Sequence, residues 1–271
     1  MRILKYIFDF YIQSSLHVAL AVYALIRITF FKLNISYDES VAYFGFFGTI
    51  VGYNFIKYDE LARVKKIKLT KTFKAIIVLS VISAFATFYY FLELNAKTKL
   101  IGFGALLLTI LYTLPFFPHR TNMRNWSGLK IYLVAIAWVG VTVLLPVINA
   151  EVDFSIIVFL KCIQRFFLVF VLMLIFEIID LQYDDLKLHT IPQKLGLKQT
   201  KRLSYLLTLV FLGLDFFKPN ITFQQLVITF LVALILLLYT YYSNSKRNKY
   251  FTSFWVESLP IVWLLLLLIF G

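Results

Sequence analysis

The chain has 271 residues, of which 61% are hydrophobic and only 15% charged, with a mean hydropathy of +0.83. A water-soluble domain of this length needs far more polar surface, so the composition excludes one and implies an integral membrane protein. The formal net charge of +13 is dispersed over loops between apolar runs, which fits attraction to anionic lipid and to diphosphate-bearing ligands rather than to nucleic acid.

Apolar runs between polar punctuation predict an all-α bundle of about nine transmembrane helices in a single domain, 1–271. The expected spans are 8–31, 38–57, 72–93, 99–117, 129–149, 154–181, 203–217, 221–243 and 251–270. Asp9, Gln13, Ser14, Ser15 and His17 interrupt what would be the apolar core of a signal peptide, so the first span is expected to be retained. Cys162 is the only cysteine and lies in an apolar run, which leaves no disulfide framework. With the N-terminus inside, the inner segments carry nineteen lysines and arginines and the outer connections three. That asymmetry predicts a cytoplasmic N-terminus and an external C-terminus.

In the second span, Gly45, Gly48 and Gly52 form a stripe that lets a neighbouring backbone come close. Asn54, Lys57 and Tyr58 project from roughly the opposite side, so this helix is expected to pack by its glycines and offer polar groups to a cavity. The fourth span ends in Tyr112-Thr113-Leu114-Pro115, where the proline ends or bends the helix. Beyond it, Arg120 and Arg124 present forks suited to phosphate oxygens. Arg165 falls near mid-membrane in the sixth span, where a lipid-facing cation is costly. Its expected place is beside a carboxylate, on backbone carbonyls or at a cavity wall. Arg27 and Lys161 lie near enough to an outer boundary to snorkel.

The sixth span closes on Phe176-Glu177-Ile178-Ile179-Asp180-Leu181-Gln182-Tyr183-Asp184-Asp185. At 100° per residue, Glu177, Asp180 and Asp184 fall within an arc of about 60°. Hard oxygen ligands converging at a membrane boundary suit a divalent cation carrying a phosphorylated substrate, which predicts an enzyme.

Asp180-x-x-x-Asp184 and the following Thr190-Ile191-Pro192-Gln193-Lys194-Leu195-Gly196 resemble the second aspartate-rich motif of the UbiA superfamily of intramembrane prenyltransferases. Tyr112, Pro115 and Arg120 look like that family's Tyr…Pro…Lys/Arg stretch. The first motif, usually N-D-x-x-D, is degraded: Asn54 aligns, but Phe55 follows it and Tyr58 replaces the later aspartate. The resemblance implies Mg2+-dependent transfer of an isoprenyl group from a prenyl diphosphate to a lipophilic aromatic or quinone-precursor acceptor. It places Mg2+ at Glu177, Asp180 and Asp184, with Asp180, Asp184 and Lys57 catalytic. Lys57 would supply a fixed positive charge in place of one metal ion. Asn54, Tyr58, Tyr112, Arg120, Arg165, Lys187 and Lys194 would bind substrate. The site would face the cytoplasm from a bacterial inner membrane. An inert relative acting in lipid binding or assembly, and a small-molecule transporter, are the competing expectations.

Overall fold

The computed structural model describes residues 2–64, 70–115, 123, 128–183, 188–218 and 221–271. Among these every regular element is helical. Helices α1 (Arg2–Gln13) and α2 (Leu16–Lys32) share the first expected span but meet at 56°. The break falls at Ser15, whose φ is +63°. α3 (Glu39–Val64), α4 (Lys71–Glu93) and α5 (Ala96–Thr113) follow. The next rod is composite: α6 (Lys130–Val139), a π turn at Gly140–Leu144, and α7 (Leu145–Asn149). α8 (Ile156–Asp180) is the long central helix. α9 (Ile191–Gly213) kinks at Gly196, whose φ of +78° suits a residue without a side chain. It runs into a 3-10 turn at Leu214–Phe217, and α10 (Phe223–Tyr242) succeeds it. A second π turn, Phe251–Val256, leads into α11 (Leu259–Phe270).

Local chemistry sets several of these ends. Thr70, Asn95, Ser155 and Thr222 accept amide protons in the first turns of α4, α5, α8 and α10, satisfying donors that a helix start leaves open. Thr190 and Gln193 form a reciprocal capping box at α9. Each expected span coincides with a helical rod, although α9 starts well before the expected residue 203. Among the described residues six rods are long and apolar enough to cross a membrane, or seven if the bent α1–α2 pair is counted as one span. α3 and α9 fall outside that group.

The main core gathers α2, α8, α9, α10 and α11 around Leu25, Leu168, Phe211, Val232 and Trp263. α8 is buried along most of its length, whereas α4 and α5 show large apolar residues outward. The protein is therefore a helical bundle wrapped round α8, with an apolar perimeter fit for lipid.

Candidate active site

A cavity of about 780 Å3 opens between α3, α4, α5, α6 and α8, with a contribution from the start of the last helix. Val169, Met173, Phe176 and Asp180 line it from α8, and their spacing of four, three and four residues is one helical face. Tyr112, Lys130, Asp180 and Glu257 supply polar groups. Each comes from a helix end on the same side of the bundle, the side expected to be cytoplasmic. The rest of the wall is apolar or aromatic apart from Thr49, Thr87, Thr109 and Thr142, whose hydroxyls donate to carbonyls four residues back, as suits a hydrocarbon-binding pocket.

α3 is rotated relative to the sequence expectation. Gly45, Gly48, Thr49 and Gly52 face the cavity, and Gly45 is also the point of closest packing, since a Cβ there would lie 2.3 Å from Ile26 Cδ1. The polar side turns away instead. Asn54 donates to the Ser14 carbonyl at 3.1 Å and to Ser80 Oγ at 2.9 Å, and it accepts from Ser15 Oγ at 2.8 Å. Lys57 Nζ donates to the Ile12 carbonyl and to Ser15 Oγ, both at 3.3 Å. Tyr58 donates to the Gln13 carbonyl at 2.9 Å. The three side chains thus reach carbonyls 12, 13 and 14 beside the α1–α2 break, where the Ile12 carbonyl also accepts the Ser15 amide at 3.4 Å. None of the three lines the cavity. Asn54 and Tyr58, expected to bind substrate, and Lys57, expected to neutralise diphosphate, are thus placed as a clasp on the helix break.

Glu177 is also reassigned. It is 2% exposed and its Oε2 accepts the Ile191 amide at 3.2 Å, so it caps the start of α9. One residue beyond Phe176, it turns about 100° away from the cavity-lining face. Asp180 keeps the expected orientation into the cavity. Asp184, Arg120 and Lys187 lie outside the described residues. Tyr112 lines the cavity as expected, whereas Lys194 is exposed.

Arg165 follows one of the three alternatives foreseen for it. Fully buried, it donates to Thr142 Oγ1 at 2.8 Å, the Leu25 carbonyl at 3.2 Å and Thr29 Oγ1 at 3.4 Å. It ties α2 and α8 to the first π turn and does not line the cavity, so its expected substrate contact is withdrawn. Arg27 stacks over Tyr37 at 4.2 Å. Lys161 does not snorkel: it is 2% exposed and its Nζ has no hydrogen-bond partner among the described residues. It sits in a buried basic cluster at the opposite end of the bundle from Asp180. There Lys218 pairs with Asp215, Lys32 lies 3.7 Å from the same carboxylate, and Gln164 bridges Asp215 to Lys218. Burial lowers the Lys218 pKa and the Asp215 charge opposes that shift.

Two groups escaped the sequence reading. Glu257 lines the cavity, and the signal available for it was a lone carboxylate at the head of an otherwise apolar span. Lys130 lines it too, disguised as one more inner-loop cation. The described residues contain no cluster of three metal-ligating side chains. Asp180 alone provides a cavity carboxylate from α8, and Mg2+ characteristically needs only one or two carboxylates beside water and phosphate oxygens. A divalent cation held mainly by phosphate oxygens and water is compatible with that single described carboxylate.

The architecture defines a class: a membrane-embedded helical bundle with the UbiA-type prenyltransferase fold. No family model matches the sequence and no curated protein is similar to it, yet solved structures are similar over nearly the whole chain. A UbiA homologue from Aeropyrum pernix K1 has a TM-score of 0.63 at 17% identity, over 96% of this chain and 97% of that one. A UbiA homologue from Archaeoglobus fulgidus bound to DMAPP and Mg2+ gives 0.62 at 13% identity, over 95% and 96%. A digeranylgeranylglyceryl phosphate synthase gives 0.55 at 14% identity, over 99% and 97%. At these identities the likeness establishes the shared fold.

Proposed function

We propose that this protein is a divergent member of the UbiA superfamily that transfers an isoprenyl group from a prenyl diphosphate to a lipophilic acceptor within the membrane. The observation that carries the reading is the cavity itself: about 780 Å3, walled by apolar side chains and bearing Asp180 at one end. The fold neighbours include a homologue bound to GPP and Mg2+ and one bound to DMAPP and Mg2+. A prenyl diphosphate has the same polarity pattern as the cavity, an anionic head and a hydrocarbon tail.

On this reading Asp180 and Asp184 would hold Mg2+, and bound Mg2+ supplies charge stabilisation for the leaving diphosphate. The chain's own groups do the remainder. Lys130 and Tyr112 stand at the same end and can place a cation and a hydroxyl beside phosphate oxygens. Phe176 and Tyr53 offer aromatic faces to positive charge developing on the allylic carbon. The apolar wall excludes water that would otherwise capture that carbon. The site opens toward the cytoplasm, and a bacterial inner membrane is the proposed location.

A catalytically inert relative is the second reading, favoured by one observation: the residues at the first motif clasp a helix break and leave the cavity to a single aspartate motif. Magnesium-dependent thermal protection by geranyl thiolodiphosphate separates the two readings. Protection lost in Asp180→Asn supports the enzyme; absence of protection in the wild type refutes donor binding.

A further inference from the structure

Glu257 is a carboxylate in a wall that is otherwise nearly devoid of charge. The second π turn puts it there. The Glu257 amide donates to the Thr252 carbonyl at 3.1 Å, an i→i−5 bond, and the added residue of a π turn rotates everything after it by about 100°. The turn is held from two sides. His17 contacts the Phe254 carbonyl at 3.0 Å and Ser258 Oγ at 3.2 Å, and Tyr11 hydroxyl meets the other His17 ring nitrogen at 2.7 Å. Trp255 points outward while Glu257 and Pro260 face the cavity.

Among the described residues no side chain hydrogen-bonds the Glu257 carboxylate. The charged and titratable groups within electrostatic reach are Lys57 and Tyr53 from α3 and Tyr11 from α1. Lys57 is already bonded to the Ile12 carbonyl and Ser15 Oγ, which leaves the Glu257 oxygens open. Tyr53 lines the cavity and accepts from Trp138 Nε1 at 3.0 Å, giving Glu257 an aromatic neighbour. An unbonded, cavity-facing carboxylate beside an aromatic wall is suited to take a proton from a bound ligand.

Resting on the prenyl-transfer reading and on the aromatic acceptor that the family resemblance implies, we propose that Glu257 accepts the proton released by the acceptor. The donor's C1–O bond breaks with its electron pair leaving on diphosphate. A ring carbon or hydroxyl oxygen of the acceptor forms the new bond to C1, and the proton displaced from that atom passes to a Glu257 oxygen. Asp180 cannot share this duty while its oxygens hold a cation.

The test uses full-length protein in detergent with Mg2+, geranyl diphosphate, and 4-hydroxybenzoate or 1,4-dihydroxy-2-naphthoate as acceptor. Glu257→Gln is expected to lower the kcat of transfer by about 100-fold or more. Its KM for geranyl diphosphate should stay within about twofold and thermal protection by geranyl thiolodiphosphate should persist, because donor binding is untouched. Glu257→Asp should retain part of the rate. Transfer by Glu257→Gln within about threefold of wild type, or loss of donor protection in both variants, overturns the inference. A wild type that is protected by the donor analogue yet prenylates neither acceptor also overturns it, leaving the donor reading intact. A wild type without protection removes both.

Discussion

A break between two helices exposes carbonyls that lipid cannot satisfy, and Asn54, Lys57 and Tyr58 each donate to one carbonyl beside the α1–α2 break. Their spacing of three and four residues, which in sequence looks like a site, is equally the spacing of a clasp reaching along a neighbouring chain. Asn54→Ala removes bonds to Ser14, Ser15 and Ser80, and a loss of about 1–3 kcal/mol is expected, read as a lower Tm in detergent. Lys57→Met should weaken the same joint while leaving donor-analogue affinity unchanged; a clear loss of affinity would restore the diphosphate-binding role. The sequence could not separate these roles, because Ser14 and Ser15 look like ordinary polar interruptions and do not announce a 56° bend. Glu177 carries a similar lesson. A 60° arc at a helix end places three acids together, but the amide of Ile191, fourteen residues on, draws one of them off.

Among the elements, α3 is the one whose facing decides the site. Its rod was legible from hydropathy; its rotation was not, since a glycine stripe serves a packed interface and a cavity floor equally well. Both uses occur here, Gly45 against Ile26 and Gly48 beneath the open space. At Gly48 an added Cβ meets only Thr87 Cγ2 at 3.6 Å, an ordinary contact. Gly48→Leu should therefore fold with little change in Tm while filling part of the cavity. Its expected effect is about a tenfold weaker response to a geranylgeranyl thiolodiphosphate than to a dimethylallyl one, measured as the shift in half-protection concentration. Equal responses would show that the tail lies elsewhere. α8 was read more fully. Its length follows from an unbroken apolar run ending in acids, and Asp180 at its end lines the cavity. The π turns were invisible, because nothing in Gly140–Leu144 or Phe251–Val256 departs from ordinary helical composition.

Across the described residues, the charges inside the bundle are divided between two ends. Asp180, Glu257 and Lys130 stand at the cavity end, and Lys32, Lys161, Lys218 and Arg165 gather with one buried carboxylate, Asp215, toward the other. Lys161 is the unpartnered member, held 5.8 Å from the Trp263 ring. Lys161→Met should raise stability by about 1–3 kcal/mol, the scale on which apolar replacements of buried charge stabilise. A lowered Tm would instead show that the ammonium holds the cluster together.

Phe88, Phe103 and Leu106 line the cavity although they are 62%, 60% and 53% exposed. Residues that belong to an inner wall and an outer surface at once mark where that wall is one side chain thick, between α4 and α5. A pocket closed all round would act as a ruler and reject any chain longer than itself. This one is closer to a slot open toward lipid, and on the proposed reading a long hydrocarbon product would depart sideways without ever crossing water.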